Sequence, residues 1–411
     1  MPCSRYKTLE YTYALQQYQN ALQGMRAAIA NGEHDMRKAL IACILVFCFE
    51  SLQGRLGLAV MHAQSGLMLL HQWIKVHLVP QVLHVPPFMS KQWRLYGIDE
   101  DILDAFSALD LHVLFFVDKR STLVRKCLIT AGNTHIQEMP LKFDSLQEAR
   151  VFWLLIMRRN CHFVRLAAGA SKLTELCGPR NEDSEMPWDA DASTIPGEGL
   201  FGTPYSPDPT LLGDYNLYQE DICRWNRASA SLFECLQQRG TVKEKIIVAL
   251  LQIHSLTSCI MLSGVFVAKE TDYDAFLPEF RTMLSLVQFV LPHLIVSAES
   301  SVLYQFELGI VPSLFLLGLK CRDPVTRTMA LDLMVSATYR EGIWDLAAAG
   351  HVVSWIVRIE EEGRDGNAYI PEHKRVFLSA CHLDLHNRCA VLAGTQRGLN
   401  GLIFKKQRIV F

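Results

Sequence analysis

Cysteine and histidine come together at one place in this chain, Cys381-His382-x3-His386-x2-Cys389. Thiolate and imidazole are zinc ligands, and a structural site closes with four of them in a tetrahedron. On a helix, His382, His386 and Cys389 would share one face at i, i+4 and i+7, while Cys381 would point roughly 100° away from His382. Ligand types on a single helix rarely close a site alone, so the run is read as a helix with partly buried polar residues beside Leu383 and Leu385. Gly197-Glu-Gly-Leu-Phe-Gly202 matches the dinucleotide fingerprint by letter. That site needs a strand before it and a helix after it; here the run sits in an acidic, Pro-rich stretch where Glu198 would repel phosphate. Asp99-Glu100-Asp101 offers carboxylates for a divalent cation ahead of a helix, as a terpene-synthase-like enzyme would require, yet no second acidic motif accompanies it. Arg158-Arg159 and Lys405-Lys406-Gln407-Arg408 could meet phosphate or an import receptor, but each cluster is short and reads as a solvated helix end. No G-x-S-x-G elbow, Walker loop or H-E-x-x-H occurs. No residue is therefore assigned as catalytic, cofactor-binding, metal-binding or DNA-binding, no resident cofactor is expected, and the expectation is a protein that is not an enzyme.

The elements that would carry these residues are helices. Leu15, Leu22, Met25 and Ile29 recur at helical spacing, Ala39–Leu52 is apolar nearly all round, and Leu58, Ala59, His62, Gly66, Leu69 and Leu70 mark a third helix after Gly54. Apolarity on every side predicts that Ala39–Leu52 is buried on every side. Ala63 and Gly66 would let the third helix approach a neighbour closely. Residues 98–117 and 144–177 are again helical in pattern. Between 179 and 215 lie six prolines, four glycines and eight acids against the single base Arg180, a net charge of −7. Such a composition cannot bury a core and predicts a disordered loop; Trp188, Phe201, Tyr205, Leu211 and Leu212 among the acids are also the composition of an activation segment. Helices return from Tyr215 to Leu319, with connections at Gly240, Thr271–Asp274 and Ser297–Ser301. Residues 322–392 supply three or four more, and Leu399–Phe411 suits a short hairpin or strand. The expected organisation is a helical unit at 1–78, its continuation at 79–178, the acidic loop at 179–215 and a C-terminal helical part at 216–411. The fold class is all-α, an array of antiparallel helix pairs like a tetratricopeptide or α-solenoid protein, with that C-terminal hairpin.

Half of the 411 residues are apolar and one fifth charged, the composition of a folded soluble chain. A net charge of −2 leaves no basic footprint for nucleic acid. Twelve cysteines scattered through apolar segments, with no Asn-x-Ser/Thr acceptor, suit a reducing, intracellular setting. The runs Ile41–Phe49 and Met283–Val296 are too short or too interrupted to span a bilayer, so no membrane partner is expected.

The most distinctive block is Lys320-Cys-Arg-Asp-Pro-Val-Thr-Arg-Thr-Met-Ala-Leu331, followed by Arg340-Glu-Gly-Ile-Trp-Asp345. Asp323 suits an N-cap, Pro324 the first helical position, and Asp323–Arg327 an i,i+4 ion pair. Gly342 would end this helix before Ile343 and Trp344 begin the next. With Ala39–Gly54, Gly309–Leu314, Glu360–Gly363 and Ile370–Val376, the block resembles the regulatory core of fungal zinc-cluster transcription factors. The resemblance runs from Tyr11 to the C-terminus except for the acidic loop. It implies an all-helical regulatory core in a nuclear transcription regulator of metabolic or secondary-metabolite genes. Homodimer or co-regulator partners and a small-molecule effector are implied with it. The zinc cluster of that family needs two Cys-x2-Cys pairs, and the chain has none. Zinc and DNA contact are thus expected only through a module this sequence does not contain. The alternative is a standalone interaction protein that pairs with a full-length relative and modulates it.

Overall fold

The computed structural model describes residues 3–30, 35–77, 100–116, 118, 120–170, 209–295, 303–362, 369–398 and 401–411. The N-terminal half is built of α1 (Cys3–Ala30), α2 (Met36–Leu52), α3 (Leu56–His77), α4 (Glu100–Phe116), α5 (Thr122–Gln137) and α6 (Leu146–Ala170). After the acidic stretch come α7 (Leu212–Arg239), α8 (Val242–Gly264), a 3-10 turn at Glu270–Phe276, α9 (Leu277–Ile295), β1 (Leu303–Gln305), α10 (Val311–Lys320) and α11 (Pro324–Ser336). The chain ends with β2 (Tyr339–Glu341), β3 (Trp344–Asp345), α12 (Leu346–Glu361), β4 (Val376–Asp384), β5 (Cys389–Gly398) and β6 (Gly401–Val410).

Short-range chemistry sets most helix starts. Asp35, Ser121, Asp323 and Asp345 each accept a backbone N–H from the first turn they cap. Thr241 and Glu244 form a capping box on α8. The α2–α3 turn runs through Gly54 at φ +75°, and a Cβ there would lie 2.8 Å from the His386 backbone nitrogen, so both the dihedral and the approach of the β4–β5 turn require glycine. Gly66 meets the Phe106 ring, where a Cβ would lie 2.6 Å from the ring edge, and this brings α3 onto α4 as its small residues suggest.

The molecule is mostly helical, but it is not all-α. β1 pairs parallel with β2, β2 antiparallel with β3, and β4, β5 and β6 form an antiparallel meander in that order. Of the hairpin or strand expected within Leu399–Phe411, the described residues form a strand, β6, which pairs antiparallel with β5 so that Gly398 lies opposite Gly401. Residues 376–384 and 389–398 are strands and not helix: each pairs with a neighbouring strand, most positions with a partner well beyond the reach of a helical period. Gly342, at φ +53°, turns β2 into β3 after α11 has ended at Ser336, so it closes a hairpin and not a helix. α7 starts at Leu212, inside the stretch read as loop, and α5 was not anticipated.

α10 sits at the centre, with all ten residues buried. It packs against α8, α9, α11, α12 and β3. One apolar core runs without a break from Leu40 to Leu392. The N-terminal helices reach it through the α2–α3 turn: Ser51 Oγ donates to Gly342 O at 2.6 Å, and Arg340 Nη1 donates to Leu52 O at 3.1 Å. α2 itself is not buried on every side, since Leu45 stands 63% exposed on it. α8 is long and apolar enough to cross a membrane, but most of it is buried within the protein.

Candidate functional site: a buried charge network and its cavity

The C-terminal motifs, read from sequence as packing and capping residues, converge on one polar network. It begins at the N-terminus of α10, where the first N–H groups have no helical partner. Glu341 reaches across from β2 and its carboxylate accepts from Gly309 N at 3.0 Å, Ile310 N at 2.5 Å and Val311 N at 3.0 Å. Burial pushes this carboxyl up to about 7 even against the pull of those three donors.

At the other end of α10, Lys320 Nζ donates to Glu270 Oε1 at 2.6 Å and stands 4.7 Å from the Tyr273 ring centroid. Arg322 Nη2 reaches Glu360 Oε1 at 2.8 Å and Glu270 Oε2 at 3.1 Å. Arg327 Nη1 holds Glu360 Oε2 at 2.5 Å while its Nε donates to Gly318 O at 3.0 Å. Val376 N completes Glu360 at 2.7 Å. Burial opposes a charge on Glu360, but Arg322 and Arg327 outweigh it and bring the carboxyl down to about 2. Arg375 binds Asp274 with both terminal nitrogens, at 2.8 and 2.6 Å. Glu372 accepts from Glu270 N and Thr271 N, fixing the 3-10 turn beneath it.

Four cations, Lys320, Arg322, Arg327 and Arg375, are thus buried among two buried carboxylates, Glu270 and Glu360, and the partly exposed Asp274. Such clusters fix geometry more than they add stability. The Cys321 thiol, pushed up to about 11 by burial, is a poor nucleophile. Beside the network lies a cavity of 280 Å³, bounded by the 3-10 turn, the start of α9, the α10–α11 connection and residues 369–375.

The expected Asp323–Arg327 pair does not form. Asp323 caps α11 through Thr326 and faces Arg281 at 3.5 Å, whereas Arg327 turns inward to Glu360, where a buried carboxylate outcompetes a solvated neighbour. The Cys381–Cys389 run is a hairpin: Cys381 pairs with Leu392, His382 with Val391 and Asp384 with Cys389, so Cys381 and Cys389 face opposite sides of the sheet. Among the described residues no group of three or more His, Cys, Asp or Glu side chains is placed to hold a metal.

Arg158 and Arg159 are neither a phosphate-binding pair nor a solvated helix end. They lie mid-way along α6, Arg158 paired with Asp110 and the fully buried Arg159 with Asp221 at 2.6 Å. Lys405, Lys406, Gln407 and Arg408 lie on β6, with Lys405 3.7 Å from Glu362 and Gln407 accepting from Trp355 Nε1 at 3.0 Å. Glu100 and Asp101 open α4; Asp99, the 197–202 glycine run, Trp188, Phe201 and Tyr205 lie outside the described residues. Leu211 ends a 3-10 turn and Leu212 opens α7.

Glu341 and Glu360 lie in blocks quoted from the sequence for the resemblance, without a charge role, and Glu270 was not singled out. Glu270 and Glu360 sit in short acidic runs, and a solvated acid gives the same signal. Comparisons of the chain with known protein families, with curated proteins and with solved structures found no match.

Proposed function

We propose that this chain is the regulatory core of a transcription regulator of the fungal zinc-cluster type, working in the nucleus on metabolic or secondary-metabolite genes. The observation that carries the reading is the convergence of the resembling blocks: Glu341 on residues 309–311, Arg322 and Arg327 on Glu360, and Glu360 on Val376. Blocks scattered over some seventy residues of sequence serve one joint, as expected of an architectural signature and not of separate sites. The array of antiparallel helix pairs belongs to the same proposal. Pairs such as α8–α9 and α11–α12 pack on α10, so that a protein partner or small effector favouring one packing shifts the whole core. DNA would be read by a zinc cluster that this sequence does not contain, and homodimer or co-regulator contacts would link the two.

Tethering tests this directly. Fused to an unrelated DNA-binding domain, the chain is expected to change a reporter under that domain's sites and to concentrate in the nucleus; an unchanged reporter would sink the reading. A second reading is an interaction protein that pairs with a full-length relative. In that case the tethered chain is silent, and co-expression lowers the output of a zinc-cluster factor.

A further inference from the structure

The C-terminal meander leaves one side open. β4 carries no exposed residue, whereas eight of the ten residues of β6, at the opposite side of the sheet, are exposed. Among the described residues no strand lies beyond β6. Phe411 N donates to Arg388 O at 2.9 Å, which fixes the phase of the β5–β6 ladder. Residues 403, 405, 407 and 409 therefore bond to β5, while Leu402, Phe404, Lys406, Arg408 and Val410 direct N–H and C=O outward. A row of outward backbone groups is a template for one more strand, and natural edges are usually shortened, bulged or covered against it. β6 pairs with β5 over its full length without a bulge.

Side chains alternate along the strand. Gln407 accepts from Trp355 Nε1 and Lys405 lies 3.7 Å from Glu362, so the odd positions face α12 and the even ones face away. The even row sets two cations, Lys406 and Arg408, between exposed apolar groups: Leu402 and Phe404 on one side, Val410 on the other. Lysine alone would guard an edge, but Phe404 at 49% and Val410 at 74% exposure leave it open to apolar contact. On the α12 side a groove of 640 Å³ runs between β6 and the helices α11 and α12, with Leu331 and Val357 in its wall. Glu361 and Glu362 stand on that helical wall, so the groove suits uncharged side chains and the outer row suits acids. A second copy of β6, paired antiparallel over its whole length, would set Lys406 against Lys406, and like charges directly opposite are destabilising. Charge therefore favours an acidic partner over self-pairing.

We propose that β6 accepts an extended segment of another protein as an added strand, with acidic residues opposite Lys406 and Arg408 and apolar residues opposite Leu402, Phe404 and Val410. Main-chain bonds to β6 supply the affinity and the alternating side chains supply the selectivity. The proposal does not depend on the regulator reading above, because binding is measured on the purified full chain with a synthetic peptide.

The probe is a fluorescently tagged Val-Thr-Glu-Thr-Glu-Thr-Val-Thr-Val peptide, which antiparallel pairing sets against Val410 to Leu402, followed by anisotropy. The expected result is saturable binding, at least about threefold tighter than the analogue with Gln for both Glu, as two exposed ion pairs allow. N-methylation at both Glu residues is expected to abolish it, since that removes main-chain donors. Phe404→Pro takes away an outward N–H without breaking the β5–β6 ladder, and is expected to abolish binding with the circular dichroism unchanged. The double variant Lys406→Glu, Arg408→Glu is expected to prefer the analogue with Lys for both Glu. Should Phe404→Pro fail to fold, the N-methylated peptide and the charge reversal decide. No binding, equal binding of the Glu and Gln peptides, or indifference to N-methylation would each overturn the proposal. So would binding that appears only after residues 180–207 are deleted, which would make this chain's own acidic stretch the occupant. A dimer that Phe404→Pro dissociates would overturn it as well, by making a second copy the occupant.

Discussion

Glu360 joins α10–α11, α12 and β4 through a single carboxylate, because its two oxygens receive Arg322, Arg327 and Val376 N together. Removing one partner of a buried ion pair leaves the other charges uncompensated, so Glu360→Gln is expected to cost about 3–5 kcal/mol, read as a lower urea midpoint. The carboxyl is depressed to about 2, so its contribution is complete above the ordinary glutamate range and is lost as pH falls toward 2. Wild-type stability should therefore fall by roughly 3 kcal/mol from this group over that acid window, and Glu360→Gln should flatten the fall. Tryptophan fluorescence followed against pH at fixed urea checks it, and parallel curves for the two proteins would contradict it. Trp344 acts by packing: it is 3% exposed and meets Phe116 at 5.5 Å and Phe315 at 5.7 Å between ring centroids. Trp344→Ala should destabilise the protein by about 3–5 kcal/mol, and an unchanged melting profile would remove that role.

Among the elements, the α2–α3 turn and the β4–β5 turn depend on each other. Gly54 at φ +75° lies against Leu385 and His386, so an added methyl group meets both an unfavourable dihedral and the backbone of the facing turn. Gly54→Ala should cost more than about 1 kcal/mol. It should also speed hydrogen exchange at Asn387 and neighbouring amides, since the disturbance falls on the facing turn. Exchange altered only within α2 and α3 would show that the two turns are independent. The same turn explains why a short cysteine–histidine run deceives. Alternation along β4 and β5 sends Cys381 and Cys389 to opposite faces, and period 2 undoes the cluster that period 3.6 assembles.

For the molecule as a whole, one apolar core and the Ser51–Gly342 and Arg340–Leu52 bonds tie the first helices to the last. Heating should therefore produce one calorimetric transition for the described core, with deletion of residues 1–55 lowering the midpoint of what remains. Two resolved transitions would mean that the N-terminal helices fold by themselves. Much of this architecture was legible in advance wherever its cause lies within about four residues. The Asp323–Pro324 start of α11, the turn at Gly54, the break at Gly240 and the closing hairpin near Gly398–Gly401 all follow from caps, dihedrals and short periods. What the sequence did not reveal depends on residues far apart along the chain. Arg327 leaves Asp323, four positions away, for Glu360, thirty-three positions away. Glu341 caps a helix that began thirty residues earlier, and 376–384 and 389–398 become strands because β6 and α12 are there to pair with and pack against. Sequence alone determined the starts and turns that a local cap or glycine fixes, as at Asp323–Pro324 and Gly54, because the chain enforces those contacts locally. Tertiary structure decided which charges are buried together, because burial and pairing belong to space and not to sequence separation.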